Sequence, residues 1–325
     1  MKVLVTGATS LLGGEIAARL AARGDDVTVF QRGASGLPHH EVRGDVADRA
    51  RVDAAVAGSD VVIHAAAKVG VVGTWSEYEA ANVVGTANVL AAARAAGVGR
   101  FVQVSSPSVA HSGHSLVGEP ATPADPQRAR GHYSRSKATA ELQALAADAD
   151  GFSVVAVRPH LVWGPGDEQL IGRIAERGRQ GRLAIIGSGT ALIDTTYIDN
   201  AADAIVATAD RAGELGGRAY VVSNGEPRPV HELLDGIAAA AGLPAPRLKV
   251  PAAVAKAAGT VIERVWAGLG RRDDPPITSF LAEQLSTAHW FDQRETRRAL
   301  GWTPTVGLDE GFARLAAWFS ERSRR

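Results

Sequence analysis

Tyr133 and Lys137 stand four residues apart in a segment whose composition favours a helix. Residues at this spacing share a helix face, so the phenol and the ammonium can act on one site. A tyrosine that exchanges a proton near neutral pH needs a pKa below its ordinary ~10, and a neighbouring cation stabilises the phenolate. Ser105 and Ser106 end a predicted strand and can supply a further hydrogen bond to a carbonyl. These residues predict proton transfer at a carbonyl or hydroxyl group.

A glycine-containing turn near the start of the chain predicts a dinucleotide site. Residues 6–13 follow the first predicted strand and open the first predicted helix, where free N–H groups and the helix dipole attract a pyrophosphate. Gly7 permits the tight turn and Gly13 permits close packing of helix on strand. Ser10 replaces the middle glycine of the usual fingerprint, and its hydroxyl can donate a hydrogen bond to the phosphates instead.

The end of the second predicted strand indicates which dinucleotide is preferred. NAD-selective sites place a carboxylate there for the ribose 2′-hydroxyl, whereas this strand runs into Gln31 and Arg32. A guanidinium can pair with a 2′-phosphate. We therefore predict NADP(H) in preference to NAD(H), the alternative being that Arg32 is a solvated loop residue. Asp45 is a candidate partner of the adenine.

The elements that must position these residues alternate along the first half of the chain, which indicates parallel strands joined by crossover helices. The predicted strands are residues 2–6, 26–30, 61–64, 100–105 and 153–158, and the predicted helices include residues 14–23, 78–96 and 133–147. This pattern predicts an α/β Rossmann fold with a doubly wound parallel sheet. We assign residues 1–160 to an NADP-binding domain that receives its last strands from later segments. Residues 161–325 are expected to form a smaller, mainly substrate-binding region with interleaved Rossmann elements.

Charge and composition limit the classes of molecule that the protein is expected to bind. The 35 basic residues equal the 35 acidic ones, so no net field attracts nucleic acid, and a small molecule is expected instead. The absence of cysteine excludes disulfides, thiolate metal sites and a cysteine nucleophile, and no metal is expected. No signal peptide or membrane span is predicted, so we expect a cytoplasmic protein. Residues 250–270 fit an amphipathic helix that packs on the domain, with a substrate lid or a membrane-surface helix as alternatives.

The motifs together resemble a known family. Residues 6–13, 82–86 and 197–200, with Ser105-Ser106, the Tyr133/Lys137 pair and Arg158-Pro159, resemble extended short-chain dehydrogenases/reductases of the branch related to 3β-hydroxysteroid dehydrogenases. The resemblance implies that Ser106 binds the carbonyl, with Ser105 as the alternative, that Tyr133 is the general acid/base and that Lys137 binds the cofactor and perturbs Tyr133. It also implies that Asn82 supports the lysine and that the loop after Pro159 packs near the nicotinamide. The expected cofactor-binding residues are Gly7, Thr9, Ser10, Leu11, Leu12, Gly13, Arg32, Asp45, Val46, Ala65, Ala66, Ala67, Ser105, Tyr133, Lys137, Pro159 and Leu161.

Within this branch the sequence looks most like the reductases that act on 2-alkyl-3-oxoalkanoates in bacterial long-chain olefin biosynthesis. The likeness is carried by residues 66–70, 106–109, 163–167, 194–200, 223–227 and 280–285, whereas Ser10 and Val104 depart from the pattern. The implied reaction is reduction of the 3-oxo group by NADPH to a 2-alkyl-3-hydroxyalkanoate. The expected substrate-binding residues are Lys68, Ser106, His160, Trp163 and Tyr197. Lys68, His160 and Arg173 are candidate partners of the carboxylate, and Trp163, Ile193, Trp266, Phe280, Leu281, Trp290 and Phe291 can line an apolar cavity.

Other functions stay open at this point. A 3β-hydroxysteroid or sterol dehydrogenase uses the same catalytic set and also needs an apolar pocket. A nucleotide-sugar epimerase or dehydratase needs polar anchors for a second nucleotide, which the apolar aromatic content after residue 160 disfavours. A regulator that senses NADP without catalysis needs no Ser/Tyr/Lys set. The resemblance further implies a homodimer through the helices that carry Asn82 and Tyr133, and an assembly with other enzymes of the olefin pathway is possible.

Overall fold

The computed structural model describes residues 1–110, 113–269, 271, 273 and 275–324. The strands are β1 (Lys2–Thr6), β2 (Asp26–Gln31), β3 (His40–Arg43), β4 (Val61–His64), β5 (Arg100–Val104), β6 (Leu116–Glu119), β7 (Ser153–Pro159), β8 (Val162–Trp163), β9 (Ala184–Ile186), β10 (Leu192–Ile193), β11 (Thr196–Tyr197), β12 (Arg218–Val222), β13 (Arg228–Pro229), β14 (Leu248–Val250) and β15 (His289–Phe291). The helices are α1 (Leu11–Ala22), α2 (Arg49–Val56), α3 (Trp75–Tyr78), α4 (Gly85–Ala95), α5 (Gly131–Ala146), α6 (Ile171–Arg179), α7 (Ile198–Leu215), α8 (Val230–Ala240), α9 (Ala252–Gly268), α10 (Ser279–Gln284), α11 (Arg294–Leu300) and α12 (Leu308–Arg324).

A seven-stranded parallel sheet forms the centre of the fold, in the order β12-β7-β5-β4-β1-β2-β3. Its inner strands are apolar and buried because helices cover both faces, and a hydrophobic cluster lies on each side. Connections run outward in opposite directions from β1 and β4, so a crevice opens where the carboxyl ends of these two strands meet. The predicted Rossmann fold is confirmed.

Strand boundaries follow the predictions closely, with three differences. β2 and β7 each extend one residue further, and β5 ends at Val104, so that Ser105 lies just after the strand. The sequence analysis did not identify β3 and α2, because these short segments are rich in polar residues and lie largely exposed at the sheet edge. The sequence analysis expected the main sheet to receive strands from later segments but did not locate β12, which extends the sheet from far beyond residue 160.

The predicted helix over residues 78–96 is observed with a π-helical section in it and with its start at Trp75. Thr74 caps the short helix α3 in a reciprocal capping box with Glu77. A π-helical turn, Glu79–Val84, then connects α3 to α4. At Gly85 a Cβ would lie 2.5 Å from Cγ2 of Val46, so the chain passes this point only without a side chain. Such π-helical turns mark an inserted residue and are frequent at functional sites.

Three strands after residue 160 and β6 from the first half of the chain build a second, smaller sheet in the order β13-β10-β15-β6. α7 returns to the main sheet and packs against α1. The predicted helix over residues 250–270 is observed as α9, and Gly270 lies outside the described residues. Within the described ranges, no helix combines the length and the hydropathy needed to cross a membrane.

Candidate active site

A cleft of about 1620 Å³ opens at the carboxyl ends of the central strands. It brings together most of the residues that the sequence indicated. These are Gly7, Thr9, Ser10, Leu11, Leu12, Arg32, Asp45, Val46, Ala65, Ala66, Ala67, Lys68, Ser105, Ser106, Tyr133, Lys137, Pro159, His160, Leu161, Ile193, Phe280, Leu281 and Phe291.

The turn after β1 is shaped by close backbone approach. Gly7 has a φ of 77°, and a Cβ on it would lie 2.8 Å from Cα of Ala66. A Cβ on Gly13 would lie 2.4 Å from the carbonyl oxygen of Gly7, so Gly13 does not itself line the cleft but allows the turn to close. The turn therefore needs glycine at both positions.

The Ser10 hydroxyl is hydrogen-bonded within the protein. Its Oγ donates to the carbonyl of Gly7 at 2.8 Å and accepts from the N–H of Gly13 at 3.1 Å, which caps α1. Donation from the Ser10 hydroxyl to the phosphates stays a prediction, and it requires the hydrogen bond to Gly7 to be exchanged.

The donors at this end of the cleft fit an anionic dinucleotide. The N–H groups of Leu11 and Leu12 lie in the first turn of α1, where helix geometry leaves them without an intrahelical partner, and both residues line the cleft. Ser105 is buried beside the cleft, and its Oγ has no hydrogen-bond partner among the residues that the structure describes. A buried hydroxyl in this state is available to a bound molecule.

The far end of the cleft carries the residues expected near the adenosine. Arg32 follows β2 and is exposed at the cleft. The Asp45 carboxylate accepts from the N–H of Ala47 at 2.9 Å, and the main chain of Val46 accepts from Asn88 at 3.0 Å. These contacts order the loop after β3, so Asp45 and Val46 stand at fixed positions opposite Arg32.

Tyr133, Lys137 and Ser106 meet in the middle of the cleft. Tyr133 and Lys137 lie on α5, and the Ser106 hydroxyl stands close enough to the phenol to lower its pKa. Ser106 lies just beyond β5, where its Oγ is 3.0 Å from Oγ of Ser108 and accepts from the N–H of Ser108 at 3.3 Å. Lys137 is buried and its Nζ donates to the carbonyl of Val104 at 2.5 Å. The set can hold and protonate one oxygen atom of a bound molecule.

Burial shifts the pKa values of both titratable groups. Desolvation raises the pKa of Tyr133 above its ordinary value, and the nearby Ser106 hydroxyl opposes this shift. Desolvation lowers the pKa of Lys137 to about 8, while the carboxylate of Glu141 acts in the opposite direction. Without a bound cofactor the phenol is therefore protonated at neutral pH, and the lysine titrates near pH 8.

Asn82 connects three parts of the cleft. Its amide nitrogen donates to the carbonyl of Lys68 at 3.0 Å and to Oγ of Ser136 at 2.9 Å, and its amide oxygen accepts from the N–H of Lys68 at 2.7 Å. Ser136 in turn donates to the carbonyl of Tyr133 at 2.8 Å. The side chain thus ties the loop after β4 to the helix of Tyr133, whereas the resemblance implied support of Lys137.

A buried histidine that the sequence analysis did not single out lies behind this region. Nδ1 of His64 is 2.8 Å from Oγ1 of Thr6, and Nε2 is 3.1 Å from Oγ1 of Thr86. The Thr86 hydroxyl donates to the carbonyl of Asn82 at 2.7 Å, and Thr6 accepts from the N–H of Ala66 at 3.1 Å. Burial and the charge of Lys137 lower the pKa of His64 to about 3. No sequence signal marked it, because a histidine in an apolar strand is usually structural.

The side of the cleft away from the glycine turn is mainly apolar. Ile193, Phe280, Leu281 and Phe291 line it, as predicted for an apolar cavity. His160 stands there with its Nδ1 donating to the carbonyl of Asp194 and its ring 5.1 Å from that of Phe291. His289, which the sequence did not indicate, lies on β15 and its ring centroid is 6.1 Å from that of His160.

Two features mark the edges of this apolar side. Leu161, two residues after Pro159, has a φ of 44°. This left-handed backbone conformation is uncommon for a residue other than glycine and is strained. Lys68 has its Nζ 3.7 Å from Glu77 and 5.1 Å from the ring centroid of Tyr78, so its ammonium is held at the rim.

Several predicted substrate residues lie elsewhere. Trp163 and Tyr197 are buried in a separate hydrophobic cluster, where the Trp163 indole stacks on Phe312 at 4.9 Å and donates to Thr195 at 2.9 Å. The structure therefore places both in the core, because each belongs to a two-residue strand of a parallel pair. Residues that also stand away from the cleft lining are Trp266 on α9, Trp290 against Gly118 and the exposed Arg173 on α6.

Comparison with known proteins agrees with this geometry. The NAD dependent epimerase/dehydratase family matches residues 3–223. The 2-alkyl-3-oxoalkanoate reductase of Stenotrophomonas maltophilia (strain K279a) is 44% identical over 98% of this chain and 99% of its own, and the enzyme of the same name from Shewanella oneidensis is 38% identical over 96% and 85%. The solved structure of MoeE5 in complex with UDP-glucose and NAD is 28% identical, with a TM-score of 0.76 over the whole of both chains. This chain therefore belongs to the NAD dependent epimerase/dehydratase family and is an NAD(P)-dependent oxidoreductase.

Proposed function

We propose that the protein uses NADPH to reduce the 3-oxo group of a 2-alkyl-3-oxoalkanoate to a 2-alkyl-3-hydroxyalkanoate, as a step of long-chain olefin biosynthesis. The observation that carries the proposal is the position of Ser106 and Tyr133, which line one cleft together with the glycine turn on one side and apolar side chains on the other. The relatives named as 2-alkyl-3-oxoalkanoate reductases, at 44% and 38% identity, support the choice of substrate.

The residues of the cleft divide the reaction between them. The Ser106 hydroxyl donates to the ketone oxygen and orients it, and Tyr133 delivers the proton that this oxygen needs on reduction. Lys137 lowers the energy of the phenolate that remains. The reduced nicotinamide, when bound, supplies the hydride to the carbonyl carbon. Phenylalanine and aliphatic side chains beyond Ser106 exclude water and accept the alkyl chains.

The polar groups on the apolar side suit a carboxylate. His160 lines the cleft, and its Nδ1 donates to the carbonyl of Asp194. Lys68 stands at the rim of the same cleft. A 3-oxo acid has its carboxylate two bonds from the reacting carbonyl carbon, and a cation near Ser106 therefore discriminates an acid from a neutral ketone.

The experiment is an initial-rate measurement of nicotinamide absorbance with the purified protein. A long-chain 2-alkyl-3-hydroxy acid and a 3β-hydroxysteroid are compared in the oxidative direction, each with NADP and with NAD. Faster turnover of the acid with NADP is expected. Turnover of the steroid alone would indicate a 3β-hydroxysteroid dehydrogenase instead. The same catalytic residues and the apolar lining of the cleft also suit that activity. Cofactor binding without turnover of either compound favours a cofactor-sensing regulator.

A further inference from the structure

The solvent-facing side of α9 is apolar along its whole length. The α9 apolar face, as we name it, consists of Val254, Ala257, Ala258, Val261 and Val265 of α9 and of Leu269, which directly follows the helix. Val254, Val261 and Leu269 are 57%, 58% and 68% exposed. With 3.6 residues per turn these positions fall on one side of the helix. A helix on the surface of a globular protein normally turns its polar residues to water, so this orientation is inverted.

Contacts on the opposite side of α9 fix that orientation. The Glu263 carboxylate accepts from the N–H of Ser279 at 2.9 Å and from its hydroxyl at 3.1 Å, and Nζ of Lys256 lies 3.8 Å from the carboxylate of Glu283. A Cβ on Gly259 would lie 2.4 Å from the nitrogen of Ser279. Because Lys256 and Glu263 are turned toward α10, the apolar residues are left outside.

Basic residues border the α9 apolar face. Arg264 is exposed on α9, three residues after Val261 and directly before Val265. Arg247 and Lys249 are exposed on the segment that leads into α9, on either side of Leu248, which is 53% exposed. Apolar side chains flanked by Lys and Arg are typical of helices that lie in the interface of an anionic bilayer.

The same face adjoins the mouth of the cleft. α10 packs directly on α9, and Phe280 and Leu281 of α10 line the apolar side of the cleft. We propose that the α9 apolar face lies on an anionic lipid surface and that apolar substrate passes from that surface along α10 into the cleft. Binding to a lipid surface goes beyond the proposed function. Only the identity of the apolar substrate rests on the proposed function.

The test is co-sedimentation of the full chain with vesicles of phosphatidylcholine alone or mixed with phosphatidylglycerol. Binding to the anionic vesicles is expected, and Val261→Asp should weaken it about ten-fold or more, since it removes the burial of one valine and adds a negative charge. Arg264→Gln should weaken binding to the anionic vesicles about five-fold without affecting neutral ones. The matched control is Val117→Asp on β6, where the valine is 55% exposed.

Three outcomes overturn the proposal. One is no binding of the unaltered protein to either vesicle. Another is a loss of binding in Val117→Asp that equals the loss in Val261→Asp. The third is a Val261→Asp variant that binds vesicles normally but dissociates an oligomer in sedimentation velocity. That result assigns the face to a second copy of the chain. Vesicle binding is measured without turnover. A protein that binds vesicles but reduces no ketone therefore contradicts the proposed function alone, and the reverse contradicts only the lipid surface.

Discussion

His64 donates through Nε2 to the hydroxyl of Thr86, 3.1 Å away. The direction follows from the next contact, because the Thr86 hydroxyl must give its one hydrogen to the carbonyl of Asn82, which can only accept. A neutral ring that donates through Nε2 must accept at Nδ1, so the Thr6 hydroxyl donates to it while accepting from the N–H of Ala66. One directed chain of hydrogen bonds thus joins the glycine turn to the π-helical turn of Asn82.

Removal of the Thr86 hydroxyl should break this chain at low steric cost. Thr86→Val leaves Nε2–H of His64 and the carbonyl of Asn82 without their partner, and each group is buried. We expect the free energy of unfolding to fall by about 2 kcal/mol, and kcat to fall because Asn82 positions the helix of Tyr133. Urea unfolding and steady-state rates measure the two effects. Thr86→Ser retains the hydroxyl and is the control; equal behaviour of the two variants would contradict the role.

His64 also predicts how stability depends on pH. Its pKa is lowered from 6.5 to about 3 in the folded protein, so between these values the unfolded chain binds one proton more. Stability is therefore lost as pH falls below 6.5, by up to about 1.4 kcal/mol per pH unit from this group. Urea unfolding at about pH 7 and about pH 5 should show a smaller loss in His64→Gln. His40→Gln, which removes an exposed imidazole, should retain the full slope.

Local sequence patterns were sufficient for the fold and for much of the cleft. β1 and β4 could be predicted from short apolar runs that alternate along the chain with helical segments. The turn from Gly7 to Gly13 could be predicted from the spacing of its glycines. Both signals act within a few residues. The Tyr133/Lys137 pair follows from helix periodicity in the same way. The π-helical turn was not predicted; it ends beside Gly85, which packs against Val46, a residue that is remote in sequence.

Aromatic residues gave the poorest predictions. Trp163 and Tyr197 suit an apolar pocket by composition, yet they pack in the core because the short strands that carry them pair with each other. His289 entered the cleft through β15, which joins the smaller sheet from the far end of the chain. Tertiary pairing over such distances leaves no periodic signal in the sequence.

We expect Lys137 to set the upper pH limit of the proposed ketone reduction. Its ammonium is present below its pKa of about 8 and is lost above it, whereas the raised pKa of Tyr133 keeps the phenol protonated. We expect kcat/KM for reduction to be level below about pH 8 and to fall with a slope of one proton above it, since this ratio reports the free enzyme. In Lys137→Arg the guanidinium keeps its charge, so any residual activity should show no such limb. A level profile to about pH 10 in the unaltered protein would exclude this assignment.

Arg32 should determine the choice between the two dinucleotides. If its guanidinium pairs with the 2′-phosphate, Arg32→Ala removes charge-assisted hydrogen bonds worth about 1.5–3 kcal/mol. The KM for NADP should then rise roughly 10- to 100-fold while the KM for NAD stays nearly constant. Arg49→Ala on α2 removes another exposed guanidinium and should change neither value. Equal effects of Arg32→Ala on both cofactors would show that Arg32 does not recognise the phosphate.

Tyr133 should be required for turnover and not for cofactor binding. Tyr133→Phe removes the proton donor but keeps the ring that lines the cleft. We expect kcat to fall by about 10²–10⁴, the usual contribution of a positioned general acid, with little change in the dissociation constant of NADPH measured by fluorescence.

Tyr220→Phe is the matched control for this loss. Tyr220 is buried in β12, and its hydroxyl finds no hydrogen-bond partner within the described part of the chain, so its removal leaves no group unsatisfied. Normal kcat in Tyr220→Phe together with a large loss in Tyr133→Phe assigns the effect to proton donation at the cleft. Substantial turnover in Tyr133→Phe would instead require another donor near Ser106, and Ser108, 3.0 Å from it, would be the first residue to replace.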